Sequence, residues 1–361
     1  MGLKSNYNKF LKGVCPDVFE TVHISEYSFK KIAVDISLYM CKFKAVCGDR
    51  WLSSFINLIA TLRSNEIHCV FIFDGKSPAE KEGEKSKRKA DRDKLEHSIY
   101  VLEEALECYH RTGEIAQVLI DLHATRKDLH KRLLGNKKNN DIDMVWVENK
   151  ILQKNNQNFS ISQEDYNTVK TLFDILNVPY STAPWEAEKT CAKLCIDGEV
   201  DAVLSEDTDV MAYGTPIFLS KIDTNTQTCV QIKNQKLLDG LDLTPKQFLD
   251  HCIMCGTDYN PNIPRVGSNK AYKYIKEYGS IEAIQENSSL DTSVLNHVRV
   301  RELFNDHPED WEFKVSHCGR PDFDKLIQFT SSHGLKVDIE SLQQKFIKND
   351  SIVFEDDSDS S

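Results

Sequence analysis

Two short apolar runs, each closed by an aspartate, set the pattern of the N-terminal part of the chain. Residues 30–35 and 68–74 are rich in β-branched and aromatic side chains, which is typical of buried strands, and they end at Asp35 and Asp74. Between them, Ser53 to Arg63 carries apolar residues at helical spacing. A strand, a helix and a second strand in close succession predict a βαβ unit and therefore a parallel sheet.

The sequence after Asp74 is basic, and from Lys76 to Lys94 it has eight Lys or Arg residues against five acids. Apolar residues then recur at helical steps, which predicts an amphipathic helix ending near Gly113: Leu95, Ile99, Leu102 and Leu106. We expect a second helix from Ile115 to Leu134, so that the two helices form a hairpin standing off the sheet. Residues 136–158, rich in Asn, Lys and Gln, are predicted to be a flexible loop.

Regular alternation of helices and strands resumes at Ser162, where Ser162-x-x-Asp165 is typical of a capping box that opens a helix. Strands are predicted at residues 178–180 and 201–205, with a helix from Pro184 between them. From Thr244 the pattern is helical. The chain therefore predicts an α/β fold with a mainly parallel central sheet flanked by helices, split by an insertion.

Composition limits the class of protein further. The eleven cysteines are odd in number and scattered, and no run of apolar residues is long enough to span a membrane, so we expect a soluble protein of a reducing compartment. Cys252-x-x-Cys255 lacks a second pair at zinc spacing, which favours core packing over metal binding. The net charge of −11 argues against nucleic acid as a partner unless acids and bases are segregated along the chain.

Seven carboxylates recur where apolar runs end: Asp35, Asp74, Glu186, Glu188, Asp207, Asp209 and Asp258. The glutamates could simply stabilise a helix N-terminus, and Asp207 and Asp209 could belong to an Asp-rich turn, although alternation along an extended segment would point both the same way. Two carboxylates about 4 Å apart repel by roughly 4 kcal/mol at an effective dielectric near 20. Several such pairs favour a bound divalent cation, and oxygen-only ligands favour Mg²⁺ or Mn²⁺ over zinc.

A Gly-containing turn follows the last of these acids and opens a helix at Gly267. Such a turn presents backbone N–H groups to an anion, and Lys270, Lys273 and Lys276 extend the positive surface along the helix. Many helices begin in this way. After a metal-type acid, the arrangement indicates that a duplex phosphate backbone is held beside a cleavage site.

Together these motifs resemble the XPG/flap endonuclease family of structure-specific 5′ nucleases, and the likeness covers most of the chain. Five motifs occur in order: residues 1–4 with the strand ending at Asp35, residues 73–76, residues 183–188, residues 205–209, and residues 256–259 with the hairpin after them. The resemblance implies a PIN-like nuclease core with a helical arch insertion and a C-terminal helix-hairpin-helix (H2TH-like) region. The implied segments are residues 1–95 and 161–258 for the core, 96–160 for the arch, 259–349 for the DNA-binding C-terminal region and 350–361 for a disordered acidic tail.

The resemblance also implies roles for individual residues. Four acids match those around one metal ion: Asp35, Asp74, Glu186 and Glu188. Three match those around a second ion: Asp207, Asp209 and Asp258. The family spacing after the second acid makes Lys81 and Arg88 the candidates for two basic residues that offset charge on the scissile phosphate, with a solvated surface as the simpler alternative.

Three features depart from the family pattern. Asp74 and Glu186 are 112 positions apart, so the arch is longer than in compact flap enzymes. One hairpin glycine is replaced, giving Arg265-Val266-Gly267, at a turn whose carbonyls are candidates to bind K⁺. Cys41 stands where the family has an aromatic that stacks on a base, with Tyr39 nearby as a candidate substitute.

The expected function is a Mg²⁺-dependent 5′ nuclease, endonuclease or 5′ exonuclease, that hydrolyses phosphodiester bonds in branched or 5′-ended DNA during replication, repair or recombination. Two ions are expected, with Mn²⁺ as a substitute for Mg²⁺. The alternatives are a related ribonuclease and a non-cleaving protein that binds DNA junctions. We expect a monomer without a sliding-clamp motif, active in the nucleus, or in the host nucleus if the chain comes from a large DNA virus.

Overall fold

The computed structural model describes residues 3–4, 7–126, 142–306 and 313–347. The chain divides into two compact units. The first unit comprises Met1–Phe43, Asp49–Glu82 and Ile161–Ser361, and the second unit comprises Lys44–Gly48 and Gly83–Ser160. The predicted acidic tail, residues 350–361, lies outside the described residues.

The first unit contains a seven-stranded sheet in the order β1-β7-β6-β5-β2-β3-β4. Its strands are β1 Glu20–His23, β2 Lys31–Asp35, β3 His68–Phe73, β4 Tyr180–Thr182, β5 Ala202–Leu204, β6 Ile217–Asp223 and β7 Thr228–Lys233. Four pairings, from β4 through β3, β2 and β5 to β6, are parallel. The β6–β7 and β7–β1 pairings are antiparallel. A mainly parallel sheet is therefore confirmed, with an antiparallel edge that the sequence pattern did not predict.

The central parallel strands are covered on both faces of the sheet, as is typical when helices connect parallel strands. Ala33 and Val34 of β2 and Val70 of β3 have no exposed surface, as expected for strands packed between helices on both sides. Ala33 pairs with Val70 on one side, and Val34 pairs with Leu204 on the other. This register brings the carboxyl ends of the central strands to one edge of the sheet.

Helices surround the sheet and form the C-terminal region of the first unit. They are α1 Tyr7–Val14, α2 Ile36–Cys47, α3 Trp51–Ser64, α7 Gln163–Ile175, α8 Ala187–Ile196, α9 Asp209–Ala212, α10 Asn234–Leu241, α11 Pro245–Cys255, α12 Ser268–Tyr278, α13 Ile281–Asn287, α14 His297–Asn305, α15 Phe323–Ser332 and α16 Ile339–Ile347. The last residues of α2 belong to the second unit. The capping box predicted at Ser162 and Asp165 is confirmed, and a second one, Thr244 with Gln247, opens α11.

The described part of the second unit is helical and has its own small core. Its long helices are α4 Glu82–Thr112, α5 Gln117–Ala124 and α6 Met144–Gln157. Five of their buried side chains form one cluster: Leu102, Leu119, Leu122, Val147 and Ile151.

The prediction of a flexible loop over residues 136–158 was wrong for residues 144–157, which form α6. The Asp143 side chain accepts a hydrogen bond from Trp146 N at 3.0 Å and caps the helix. Val147 and Ile151, four residues apart, supply its buried stripe. The helix predicted from Ile115 to Leu134 instead runs from Gln117 to Ala124, and residues 127–141 lie outside the described part.

No helix within the described residues is both long and apolar enough to cross a membrane. Cys252 and Cys255 are fully buried in α11. Burial raises the pKa of both thiols, that of Cys255 to about 12. This environment supports core packing for the Cys252-x-x-Cys255 motif.

Candidate functional site

The first two acids lie at the carboxyl edge of neighbouring parallel strands. Asp35 is the last residue of β2 and is buried, whereas Asp74 directly follows β3 and is exposed. The Ser205 hydroxyl donates to Asp35 Oδ2 at 2.8 Å, and the backbone N–H of Ser37 donates to Asp35 Oδ1 at 3.2 Å. The Ser37 hydroxyl also donates to Asp74 Oδ2. Hydroxyl groups from the first turn of α2 and from the loop after β5 therefore hold these carboxylates at the sheet edge.

Gly75 allows the loop after Asp74 to cross the loop before Glu186. Its backbone N–H donates to Trp185 O at 2.7 Å, and a Cβ at this position would lie 1.9 Å from Ala183 O. Only glycine permits so close a backbone approach. The crossing joins the second acid to the third in space, although they are distant in sequence.

Glu186 and Glu188 lie at the start of α8 and are both buried. The helix begins at Ala187 with Glu186 as its N-cap residue, so the prediction that Pro184 is the first helical residue was wrong. The backbone N–H of Ala187 donates to Asp74 Oδ1 at 2.9 Å. The free N–H groups of a helix N-terminus therefore partly offset the charge of these acids.

Asp207 and Asp209 follow β5 in a tight turn rather than in an extended segment. The backbone N–H of Asp209 donates to Asp207 Oδ1 at 2.9 Å, and Asp209 is the first residue of α9. Both side chains are buried. The expectation that strand alternation would align them was wrong, because the turn brings them together instead.

Three of the acids lie close to the ammonium group of Lys81. Lys81 ends a short 3-10 turn, Ala79–Lys81. Its Nζ pairs with Glu186 Oε1 and lies 3.2 Å from Asp258 Oδ2 and 3.7 Å from Glu188 Oε1. Although burial alone would lower it, the pKa of Lys81 is raised by Glu188, Glu186 and Asp258. The family spacing after Asp74 therefore identified a lysine that does contact the acidic cluster.

The cluster carries more negative charge than Lys81 can balance. Six of the seven acids are buried: Asp35, Glu186, Glu188, Asp207, Asp209 and Asp258. Burial, followed by the neighbouring Asp74 and Asp207 carboxylates, raises the pKa of Asp35 to about 7. Burial likewise raises the pKa of Glu188, Asp207 and Asp209. The protein must bind either protons or further cations here.

The donor chemistry of the cluster fits hard divalent cations. All seven candidate ligands are carboxylates, and Asp209 Oδ1 is a buried oxygen without a hydrogen-bond partner among the described residues. In the described ranges, no three His, Cys, Asp or Glu side chains are already arranged to hold a metal ion. The acids lie near one another at the sheet edge, but they do not form a complete coordination shell. Lys81 lies between Glu186 and Asp258.

Arg88 belongs to the second unit, on α4, where its Nε lies 3.4 Å from Glu84 Oε1. The role of Arg88 opposite the acids of the first unit stays a prediction. Tyr39, the candidate for stacking on a base, has no exposed surface and lies with its ring centroid 5.6 Å from that of Phe43. It is not available to a nucleobase in this conformation.

The predicted hairpin residues lie at the start of α12. Gly267 is the N-cap residue, and Lys270, Lys273 and Lys276 are exposed. Arg265 has a positive φ of 64°, so the turn is tight despite the missing glycine. The helix thus presents exposed lysines and an N-terminus without a side-chain cap, as expected for a phosphate-binding element, while K⁺ binding stays a prediction.

Sequence reasoning gave no role to Tyr259 or Tyr213, which contact the site from behind Glu186. The Tyr259 hydroxyl donates to Glu186 Oε2, and the Tyr213 and Tyr259 hydroxyl oxygens are 2.6 Å apart. The sequence could have indicated a role for Tyr259, because it directly follows Asp258. No sequence feature indicated a role for Tyr213, which is 46 residues distant from Tyr259.

A mainly parallel sheet with a buried acidic edge and a lysine between the acids is the architecture of an α/β nuclease core. Two family domains match the sequence: the XPG N-terminal domain over residues 1–95 and the XPG I-region over residues 177–258. The chain belongs to the XPG/flap endonuclease family.

Relatives from viruses and cellular organisms agree with this membership. A probable RAD2-like endonuclease of Invertebrate iridescent virus 6 is 34% identical over 387 residues, covering 96% of this chain and 92% of the relative. Flap endonuclease 1-2 of Paramecium tetraurelia is 30% identical over 295 residues, covering 77% of this chain and 65% of the relative.

Solved structures share the fold. The catalytic core of Rad2 in complex with a DNA substrate matches with a TM-score of 0.60 at 18% identity, covering 96% of this chain and 99% of that core. Flap endonuclease-1 from Methanococcus jannaschii matches with a TM-score of 0.57 at 18% identity, covering 92% of this chain and 96% of that protein. The predicted nuclease-core fold is thereby confirmed.

Proposed function

We propose that this protein is a Mg²⁺-dependent, structure-specific 5′ nuclease that hydrolyses phosphodiester bonds in branched or 5′-ended DNA. The observation that carries the proposal is the buried set of carboxylates around Lys81 at the carboxyl edge of the sheet. The relatives support it, because they are described as RAD2-like and flap endonucleases.

The residues divide into two ligand sets for two ions, with Mn²⁺ able to replace Mg²⁺. Asp35, Asp74, Glu186 and Glu188 would hold one ion. Asp207, Asp209 and Asp258 would hold the other. Bound divalent ions would stabilise charge on the attacking and leaving oxygens of the phosphodiester. Collecting the ligands before substrate arrives is the contribution of the fold.

Other side chains act on the phosphate and on the duplex. Lys81, half-buried among the acids, offsets charge that grows on the scissile phosphate, and Arg88 does the same from α4. Gly267, Lys270 and Lys273 hold a duplex phosphate backbone at the start of α12, with K⁺ as a further ligand of that turn. The second unit supplies the arch that selects which DNA ends are admitted.

The cellular setting is also part of the proposal. The relative from Invertebrate iridescent virus 6 supports a large DNA virus as the source, and a DNA substrate supports activity in the host nucleus. The protein would act in replication, repair or recombination, as a monomer and without a sliding-clamp motif.

The proposal is tested by incubating the protein with end-labelled 5′-flap, bubble, blunt-duplex and structured RNA substrates in Mg²⁺, Ca²⁺ or EDTA. We expect cleavage of at least one DNA substrate in Mg²⁺ and none in EDTA. Cleavage confined to RNA would support the related ribonuclease instead. Binding of branched DNA without cleavage in Mg²⁺ or Mn²⁺ would support a junction-binding protein and overturn the nuclease proposal.

A further inference from the structure

Two buried tyrosines stand in a line behind one of the candidate metal ligands. Tyr259 follows Asp258 directly, and Tyr213 follows the end of α9. Each side chain is about as buried as the acids, with 8% of its surface exposed. Because the Tyr259 hydroxyl donates to Glu186 Oε2 and lies 2.6 Å from the Tyr213 hydroxyl, the three residues form a continuous hydrogen-bonded chain.

The direction of this chain follows from counting protons. A protonated tyrosine hydroxyl donates one hydrogen bond, and an ionised carboxylate only accepts. Because the Tyr259 proton is used on Glu186, the hydrogen bond between the tyrosines must be donated by Tyr213. The chain therefore runs from Tyr213 through Tyr259 to Glu186, and each donor polarises the next.

Phe304 of α14 fixes both rings. Its ring centroid lies 4.7 Å from that of Tyr213 and 5.3 Å from that of Tyr259, in tilted and edge-on contacts. Such aromatic pairs add about 0.5–1.5 kcal/mol beyond the burial of surface. The hydroxyl groups are therefore held in place by packing on the ring side and by hydrogen bonds on the oxygen side.

The two carboxylate oxygens of Glu186 therefore have different partners. Oε2 is committed to Tyr259, while Oε1 faces the cationic side of the cluster and pairs with Lys81 Nζ. We propose that Tyr259, supported by Tyr213, is a positioning residue that orients Glu186 so that Oε1 alone is presented to a bound divalent cation. This inference rests on the proposed metal-dependent function.

A purely structural role for the tyrosines makes a different prediction. Losing one buried hydrogen bond lowers the free energy of unfolding modestly wherever the bond occurs. A residue that orients a metal ligand has an additional effect, since removing such partners typically weakens metal affinity or activity about 10- to 100-fold. Metal affinity of the folded protein therefore separates the two roles.

The test compares Tyr259→Phe and Tyr213→Phe with Tyr27→Phe. Tyr27 is a matched control, because it is a buried tyrosine whose hydroxyl donates to Gln231 in another part of the first unit. The first readout is the dissociation constant for Mn²⁺, measured by electron paramagnetic resonance on folded, DNA-free protein. We expect Tyr259→Phe to weaken Mn²⁺ binding about 10-fold or more, Tyr213→Phe to weaken it less, and Tyr27→Phe to leave it unchanged.

The second readout is the Mg²⁺ dependence of single-turnover cleavage of a 5′ flap. For Tyr259→Phe we expect half-maximal rate at a higher Mg²⁺ concentration and recovery toward the wild-type rate at saturation. Wild-type Mn²⁺ affinity in Tyr259→Phe would overturn the positioning role, even if the wild-type protein cuts DNA. If the wild-type protein bound Mn²⁺ but cut no nucleic acid, the nuclease proposal would fail while the Mn²⁺ titration still decided the role of Tyr259. Absence of Mn²⁺ binding by the wild-type protein would overturn both.

Discussion

Lys81 is the residue that links several acids of the candidate site. Its ammonium group contacts three carboxylates from α8 and from the loop after α11. It therefore balances part of the acidic charge and is also placed to contact the phosphate that the acids would help to cleave. We therefore expect both stability and catalysis to depend on this side chain.

We predict that Lys81→Ala slows single-turnover cleavage by about 100-fold or more, which is the usual cost of removing one donor that stabilises developing charge. The variant also loses a cation from the cluster, so Mg²⁺ should raise its melting temperature more than that of the wild type. Arg88→Ala should slow cleavage without this change in melting temperature. An unchanged rate in either variant would show that the side chain does not act on the scissile phosphate.

His251 is a buried residue whose tautomer follows from its hydrogen bonds when its ring is neutral. Its Nε2–H donates to Ser268 O at 3.1 Å, so Nδ1 must accept from the Tyr7 hydroxyl at 3.0 Å. Burial lowers the pKa of His251 to about 4. The neutral ring thus ties α1 and the first residue of α12 to α11.

Because the folded-state pKa lies below the unfolded value of about 6.5, the unfolded chain binds more protons between pH 6.5 and pH 4. The contribution of His251 to stability is complete above pH 6.5 and decreases as the pH falls, by about 2 kcal/mol at pH 5. The acids of the site titrate as well. The expected signal is therefore a stability difference between wild type and His251→Gln, from urea unfolding, that shrinks by this amount from pH 7.5 to pH 5. A pH-independent difference would contradict the assignment.

At the scale of elements, three helices of the C-terminal region meet at one buried charge. Asp250 of α11 has no exposed surface and accepts from Arg301 Nε at 2.6 Å and Nη2 at 2.7 Å. Arg301 of α14 also pairs with Glu282 of α13. The arginine therefore fixes α14, the helix that carries Phe304, against α11.

We predict that Arg301→Met lowers the free energy of unfolding by about 3–5 kcal/mol, because it leaves the Asp250 carboxylate buried without its cation. The double variant Arg301→Met, Asp250→Leu should recover most of this loss, since no buried charge remains. Urea unfolding measures both. Lys325→Met, which breaks an exposed pair with Asp322, is the control and should have no measurable effect. Equal stability of Arg301→Met and wild type would refute the account.

The strands and helices also show what the sequence pattern can and cannot predict. Strands β2 and β3 were located to within one residue, because they are short, fully buried runs. Strands β6 and β7 were missed because exposed and buried residues are mixed along them, as expected at an antiparallel edge. Helix α6 was missed because its polar face, rich in Asn, Lys and Gln, hides a narrow apolar stripe.

In the candidate site, too, the sequence predicts some of the residues and contacts but not others. The seven acids were predictable because each lies at the end of an apolar run, and Lys81 because of its family spacing from Asp74. The contact of Tyr259 with Glu186 joins residues 73 positions apart, and no local pattern encodes it. The crossing at Gly75 likewise depends on the packing of two loops distant in sequence.

At the scale of the whole molecule, the net charge of −11 and a DNA substrate are compatible because the charges are segregated. Acids are concentrated at the sheet edge, whereas Lys76 to Lys94 and the exposed lysines of α12 are basic. Affinity for DNA should therefore fall steeply with salt despite the acidic composition. The interval between Asp74 and Glu186, which are 112 positions apart, contains the larger segment of the second unit, Gly83–Ser160, in which we expect the preference among DNA ends to reside.

The central claim is that the buried acids hold the metal ions required for cleavage. The most direct measurement is single-turnover cleavage of a 5′-flap substrate by Asp207→Asn in Mg²⁺, together with its affinity for the same DNA. We predict that cleavage is abolished while duplex binding stays close to the wild-type value, and that Asp324→Asn, at an exposed position of α15, keeps both. Cleavage by Asp207→Asn at the wild-type rate would contradict the assignment of this cluster as the metal centre.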